Sequence, residues 1–123
     1  MRKLFLVVVL VLSMALAGCL PKPQNVADKF MKSLVKKDYD QAAACCGFSK
    51  DPDSKELVIT VIKEQFGEDI HGYKITKDSI LPNEEQAIAV TDIFRSGVRE
   101  EGRLVHLRKM ENQWVVDPFV IDE

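Results

Sequence analysis

The feature that most constrains the fold is a change in the spacing of apolar residues near residue 70. Before that point apolar residues recur at helical spacing, and after it they alternate as in strands, with turn residues between them. A first helix is expected from Val26 to about Lys37, with Asn25 as its cap. Helices followed by sequential strands predict an α+β fold, in which N-terminal helices pack on a curved four-stranded antiparallel sheet.

Two further helices are expected before the strands. Asp38 and Gln41 have the spacing of a capping box for a helix over Tyr39–Cys46, which Gly47 would end. The segment 57–66 contains five consecutive β-branched residues that could also form a strand. Its polar flanks, the helix-entry sequence DPDSKE before it and Gly67 after it favour a helix.

Four strands are expected in the second half of the chain. The first contains Tyr73, Ile75 and Ile80, and the second, 87–94, is apolar on both faces and is therefore predicted to be central. The third covers 102–110, with Val105 and Leu107 on one face and His106 and Arg108 on the other. The fourth runs from Trp114 to Asp117, before Pro118.

The N-terminal segment has the pattern of a signal peptide. Arg2 and Lys3 precede an apolar run over 4–17, which is shorter than the roughly 20 residues that span a bilayer. The run ends in Leu16-Ala17-Gly18-Cys19, which resembles the bacterial lipobox. The resemblance implies a diacylglyceryl thioether on Cys19, cleavage between Gly18 and Cys19, and acylation of the new amino group. The alternative is an uncleaved signal anchor.

This pattern divides the chain into a signal peptide (1–18), a lipidated cysteine and tether (19–25) and one domain (26–123). Lipid on Cys19 would hold the domain at the membrane of a bacterial cell envelope, facing outside the cytoplasm. The tether, stiffened by Pro21 and Pro23, reaches only about 20 Å. Leu20 lacks the aspartate that resembles an inner-membrane retention signal, which favours the outer membrane in a cell with two membranes.

Charge argues against nucleic acid as a partner. Loss of residues 1–18 leaves 105 residues with 15 basic and 19 acidic side chains, a net charge of −4. Nucleic-acid binding needs a concentrated basic surface instead. Arg95, Arg99 and Arg103 lie near Glu100 and Glu101 and are expected to pair with them locally. Five lysines near the tether could contact anionic lipid, although a solvated helix face is the expected interpretation: Lys22, Lys29, Lys32, Lys36 and Lys37.

Several segments together resemble a known family. They are VADKFMKSLVKKDYDQAAACC, FGEDIHGYKI, a strand opening at Ala87, and LVHLRKMENQWVVD. This pattern, over residues 23–118, resembles small bacterial lipoproteins of unknown function with a cystatin-like, nuclear-transport-factor-two-like domain. The resemblance implies a cavity between helix and sheet, which in some members holds a steroid, a polyketide or a peptide. Phe30, Leu34, Tyr39 and Trp114 would line such a cavity here, although Tyr39 and Trp114 are expected to complete the core instead.

Enzymatic members of that superfamily use an Asp, His or Tyr inside an apolar pocket. The candidates in this sequence are Asp92, Tyr39, His71 and His106. Asp92 lies in the middle of a strand, where an outward, solvent-facing position is expected and a pocket acid is the alternative. No metal-ligand spacing, glycine-rich phosphate loop or nucleophile elbow occurs, so no metal or cofactor is expected.

Cys45 and Cys46 are adjacent, and two buried thiols on a helix are expected, with Cys46 the more buried. A vicinal disulfide is the alternative.

These features favour a lipid-anchored, non-catalytic module that binds an envelope protein or a small apolar ligand. The alternatives are a small isomerase-like or cyclase-like enzyme using Asp92 or Tyr39, and a purely structural envelope lipoprotein.

Overall fold

A computed structural model describes residues 22–47, 52–81 and 83–120. The signal segment, the lipobox and Cys19 lie outside the described residues. Within these ranges the elements are α1 (Pro23–Val35), α2 (Tyr39–Ala44), α3 (Pro52–Phe66), β1 (Ile70–Ile80), β2 (Gln86–Arg95), β3 (Val98–Met110) and β4 (Gln113–Val116). None of the helices in these ranges combines the length and the apolar character needed to cross a bilayer.

The first helix begins three residues earlier than predicted. Pro23 occupies its first turn and Lys22 is its N-cap, so Asn25 lies inside the helix and does not cap it. Proline suits the first helical position because its ring fixes φ and the missing N–H would have had no partner there. The helix ends at Val35 rather than at Lys37, which has a positive φ of 58° and turns the chain.

The second and third helices are found where they were predicted. The Asp38 carboxylate accepts the backbone N–H of Gln41 at 3.2 Å, which confirms the predicted cap of α2. The helix ends at Ala44, two residues earlier than predicted. Gly47 follows with φ of +76°, a backbone angle that favours glycine. A Cβ at this position would also lie only 3.1 Å from Cγ1 of Val115, so there is little room for a side chain.

The β-branched run is helical, as the capping and flanking residues predicted. Val58 and Ile62 of α3 are buried, whereas Leu57 and Thr60 are exposed. One side of the helix therefore contributes to the core, and burial there outweighs the modest strand preference of valine and isoleucine.

The four strands form one antiparallel sheet in the order β1-β2-β3-β4, curled into a half-barrel against which the helices pack. This confirms the α+β class and the central position of β2. Helix α1 crosses the sheet and contacts all four strands. β3 begins four residues earlier than predicted, because a two-residue turn at Ser96-Gly97 lets its ladder with β2 begin at once with Arg95 opposite Val98.

The space between α1 and the sheet is occupied by the chain's own side chains. Phe30 of α1 meets Phe66 of α3 edge to face, with ring centroids 5.3 Å apart. Ile62, Ile93 and Val105 complete this region with no more than 1% exposure. The two aromatic rings therefore join both long helices over the middle of the sheet.

Two polar contacts fix the helices to the two outer strands. Tyr73 on β1 donates its hydroxyl to the Asp28 carboxylate on α1 at 2.5 Å. Burial, followed by this hydrogen bond, raises the pKa of Tyr73 above its ordinary value. At the opposite edge, the backbone N–H of Val116 on β4 donates to the Cys45 carbonyl at 2.9 Å. The turn after α2 therefore lies directly against β4.

Candidate functional site

An open groove of about 410 Å³ lies where the start of α1, the end of α2 and β4 meet. Its apolar wall is formed by Val26, Ala44, Trp114 and Val115, together with Cys45 and Gly47. Its polar residues are Asn25, Lys29, Gln41 and Gln113. The volume falls within the range of roughly 300 to 1,000 Å³ that is typical of small-molecule sites.

The groove results from contacts between elements that are far apart in the sequence. The Val116 to Cys45 hydrogen bond holds the turn after α2 against β4, and Gly47 packs on Val115. The early start of α1 at Pro23 places Asn25 and Val26 on an ordered helical turn. The groove is therefore built from the start of α1, from α2 with the turn after it, and from β4.

Trp114 is half-buried on β4, opposite Lys109 on β3. The Lys109 ammonium lies 5.8 Å from the centroid of its ring, in cation–π range. Trp114 also lines a second groove of about 480 Å³, with Ile80, Leu81, Glu84 and Lys109. The two grooves thus share the indole, and Lys109 belongs only to the second.

The polar residues of the first groove are available for new hydrogen bonds. Within residues 22–47, 52–81 and 83–120, no hydrogen bond holds the side-chain amides of Asn25, Gln41 or Gln113. Lys29, which is exposed, is the one charged residue among the described residues of this lining. The groove therefore presents three neutral amides and one cation around an indole.

The structure places the four predicted pocket residues in three different surroundings. Phe30 and Leu34 are buried in the core, with 0% and 2% exposure, and do not line the groove. Tyr39 is half-buried beneath Lys63, whose ammonium lies 4.8 Å from the ring centroid. Trp114 lines the groove. Burial raises the pKa of Tyr39, and its hydroxyl is enclosed without a hydrogen-bond partner among the described residues.

Asp92 lies on the outer face of β2, between the core-facing residues Thr91 and Ile93, as the alternation predicted, but it is only 6% exposed and so is not open to solvent as expected. A bulge in β3 sets Glu101 and Gly102 opposite the single residue Asp92. The bulge brings two donors to its carboxylate: the Arg99 guanidinium at 2.8 Å and the Gly102 N–H at 3.1 Å. These two hydrogen bonds hold the pKa of the Asp92 carboxyl below its usual value of 3.8, and the bond from Arg99 has the larger effect.

Replacing Asp92 with asparagine should therefore destabilise the fold in a pH-dependent way. A carboxyl whose pKa is lowered by folding contributes stability above its unfolded pKa, and this stability is lost as the pH falls through the folded pKa. Asp92→Asn should unfold at a lower temperature than the wild type at about pH 7, and the difference should shrink as the pH falls below the usual Asp pKa of 3.8. Thermal melts followed by circular dichroism at several pH values measure the unfolding temperatures of the variant and the wild type, and hence their difference. Asp78→Asn, on the exposed part of β1, is the matched control, and a difference that stays constant with pH would contradict this role.

The two histidines lie apart from the groove. His71 is exposed on β1, and His106 is half-buried on β3, where its backbone carbonyl accepts the N–H of Asp117 at 2.8 Å. Among the residues that the structure describes, no group of three or more His, Cys, Asp or Glu side chains is arranged to hold a metal ion.

Cys45 and Cys46 are both free thiols in the structure. Cys46 is fully buried and Cys45 is 9% exposed at the groove wall, which confirms the predicted order of burial. Both residues lie in the turn after α2 and not on a helix as predicted, because the helix ends at Ala44. Burial raises the pKa of both thiols, most of all that of Cys46, whose Sγ–H points to the Ala42 carbonyl. Both groups are therefore poor nucleophiles at neutral pH.

The arginines near the β2–β3 turn pair locally, as predicted. Arg95 contacts Asp69 and lies 3.2 Å from Glu100, which is also 3.2 Å from Arg103. Arg103 donates to the Gln65 carbonyl at 2.6 Å and lies over the Phe66 ring. This network joins the end of α3 to the sheet and leaves the groove untouched.

No model of a known protein family matches this chain, and no curated protein matches its sequence. Two features of the protein therefore bear on its function: the lipobox pattern in the sequence and the groove in the structure. Trp114, one of the four possible pocket residues, lines the groove, whereas Asn25, Gln41 and Gln113 were not predicted, because amides on three separate elements give no periodic signal.

Proposed function

We propose that this protein is a membrane-anchored extracytoplasmic lipoprotein whose domain is a non-catalytic binding module, with the Trp114 groove as its binding site. The observation that carries the proposal is the position of the groove at the start of α1. Asn25, Val26 and Lys29 line it, and Pro23 follows the lipobox cysteine by only four residues. At roughly 3.3 Å per residue, Cys19 is no more than about 13 Å along the chain from the helix. The site would therefore work close to the membrane surface.

The domain itself we assign to the cystatin-like, nuclear-transport-factor-two-like architecture. Long helices packed against a curled four-stranded antiparallel sheet support this assignment. The interior that holds ligands in some relatives is occupied here by Phe30, Phe66 and their neighbours. Binding of a partner protein or small ligand is therefore assigned to the surface groove, and the compartment to the bacterial envelope, on the outer membrane where there are two.

The geometry around the two acid–base candidates favours binding over catalysis. A general acid at neutral pH needs a raised pKa, whereas Arg99 and Gly102 lower that of Asp92. Tyr39 lies against Lys63 on α3, and neither residue lines the Trp114 groove. Asp92 and Tyr39 therefore do not converge on the one site that the groove offers.

Replacing Cys19 with serine tests the anchoring. In the wild type, the mature N-terminus should be Cys19 carrying acyl chains, and the protein should sediment with membranes and enter the detergent phase of a phase separation. Cys19→Ser should keep the signal segment and lose the lipid, because the hydroxyl is not the thiolate nucleophile that forms the thioether. Intact-mass measurement shows whether the signal segment is still present, and metabolic labelling with a fatty acid shows whether the lipid is attached.

A buried cysteine provides the matched control. Cys45→Ser removes a thiol without touching the lipobox and should leave processing and lipidation unchanged. Equal fatty-acid labelling of the wild type and Cys19→Ser would show that the proposed anchoring is wrong.

A further inference from the structure

We infer that the Trp114 groove binds a short acidic saccharide, meaning a sugar chain that carries a carboxylate or phosphate. This inference rests on the proposed function, since it takes the groove as the binding site of an exported domain. It follows from three properties of the lining: a flat indole, three free carboxamides and a single cation.

The indole supplies the apolar contact. Trp114 is half-buried and lines the groove as part of its wall, so its orientation is fixed by the sheet and its exposed surface is preorganised. A sugar ring has one face made of C–H groups and a rim of hydroxyls. Such a face packs flat on an indole, while the rim remains free for polar contacts.

The carboxamides exclude a purely apolar ligand. Asn25, Gln41 and Gln113 each offer two N–H donors and one carbonyl acceptor, which match hydroxyl groups that both donate and accept. An acyl chain would remove water from these amides and return no hydrogen bond, which is unfavourable. The polar rim of a saccharide replaces that water.

The charge of Lys29 favours an acidic group on the saccharide. Lys29 is the one charged residue among the described residues lining this groove, and Lys109 lies in the neighbouring one. An ammonium at the edge of a groove favours a ligand with a carboxylate or phosphate placed near it. A cationic ligand would be disfavoured by the same group.

An extended peptide is the competing ligand, and the hydrogen bonding of β4 argues against it. Peptides that add to a sheet need free backbone groups along an edge strand. Here the N–H of Val116 already donates to the Cys45 carbonyl, and Gly47 packs against Val115. The turn after α2 therefore already occupies the Val116 end of the edge that a peptide strand would require.

The single tryptophan of the chain makes a direct test possible. The full-length protein, purified from a bacterial host and reconstituted in phosphatidylcholine vesicles, would be titrated with two probes of equal length. One is a hyaluronan tetrasaccharide, which carries carboxylates, and the other is neutral tetra-N-acetylchitotetraose. Both should change Trp114 emission saturably, and the acidic probe should bind about fivefold more tightly, the scale of one exposed ion pair. Calorimetry on the same samples detects binding that leaves the emission unchanged.

Matched variants assign the contacts. Lys29→Gln should abolish the preference for the acidic probe, whereas Lys109→Gln, which alters a lysine near the same indole but in the other groove, should retain it. Gln41→Ala should weaken both probes about fivefold, the scale of one neutral hydrogen bond. Equal effects of the two lysine variants would overturn the role given to Lys29.

The absence of saturable binding of either tetrasaccharide by both methods would overturn the inference. The N-terminal mass of the same preparation separates this outcome from a failure of the proposed function. A lipidated protein that binds neither sugar refutes only the saccharide site. An unlipidated protein that binds the acidic sugar supports the site and refutes the anchoring.

Discussion

Replacing Phe30 with alanine is expected to lower the free energy of unfolding by about 3–5 kcal/mol, the range for deleting a buried aromatic side chain. Phe30 is fully buried on α1 and its ring meets the edge of Phe66 at a centroid distance of 5.3 Å. The substitution removes this contact and leaves a cavity between both long helices and the sheet. Because the surrounding backbone is held by the sheet ladder, the site cannot collapse fully.

Urea unfolding followed by Trp114 fluorescence and by far-ultraviolet circular dichroism measures this loss. Leu57→Ala is the control, since Leu57 is 57% exposed on α3 and its removal should change the free energy by no more than about 0.5 kcal/mol. A loss for Phe30→Ala as small as that of the control would show that the two helices are not joined through this ring.

Replacing Arg103 with methionine is expected to cost about 2–3 kcal/mol, the scale of hydrogen bonds to a charged group. The Arg103 guanidinium donates to the Gln65 carbonyl in the last turn of α3 and to Glu100 at 3.2 Å. It therefore satisfies a helix-end carbonyl and places a cation at the negative end of the helix dipole. Methionine keeps the packing on Phe66 but loses these bonds.

Arg103→Lys separates charge from geometry. Lysine retains the cation but lacks the planar fork that reaches Gln65 and Glu100 together, so an intermediate loss is expected. Lys77→Met, which removes an exposed cation on β1, should change the free energy of unfolding by no more than about 0.5 kcal/mol. Equal losses for Arg103→Met and Lys77→Met in urea unfolding would contradict the role of Arg103.

Most of the fold was predictable because its elements carry local signals. Asp38 and Gln41 predicted a cap that the structure contains, and the alternation of Val105 and Leu107 with their polar neighbours predicted the two faces of β3. The start of α1 was placed wrongly. Asn25 is a good capping residue, but Pro23 three residues earlier fits the first turn equally well, and local sequence does not rank the two.

The site was less predictable because it depends on side chains from distant elements. Trp114 was assigned to a pocket by the family resemblance, although a place in the core was expected for it, and it lines the groove. Phe30 and Leu34 were assigned to a pocket on the strength of a family resemblance, and the structure buries them in the core. The periodicity that identifies a core-facing residue does not tell whether the space in front of it is filled.

The sequence by itself determined the α+β class, the helical state of the β-branched segment and the central position of β2, because these follow from periodicity and turn residues. Only the tertiary structure decided the environments of Asp92 and Trp114. A bulge in β3 brings Arg99 and Gly102 to Asp92, and the turn after α2 closes on β4 beside Trp114. Both arrangements depend on the register between strands and on contacts between residues far apart in the chain, and no local sequence pattern encodes these distances.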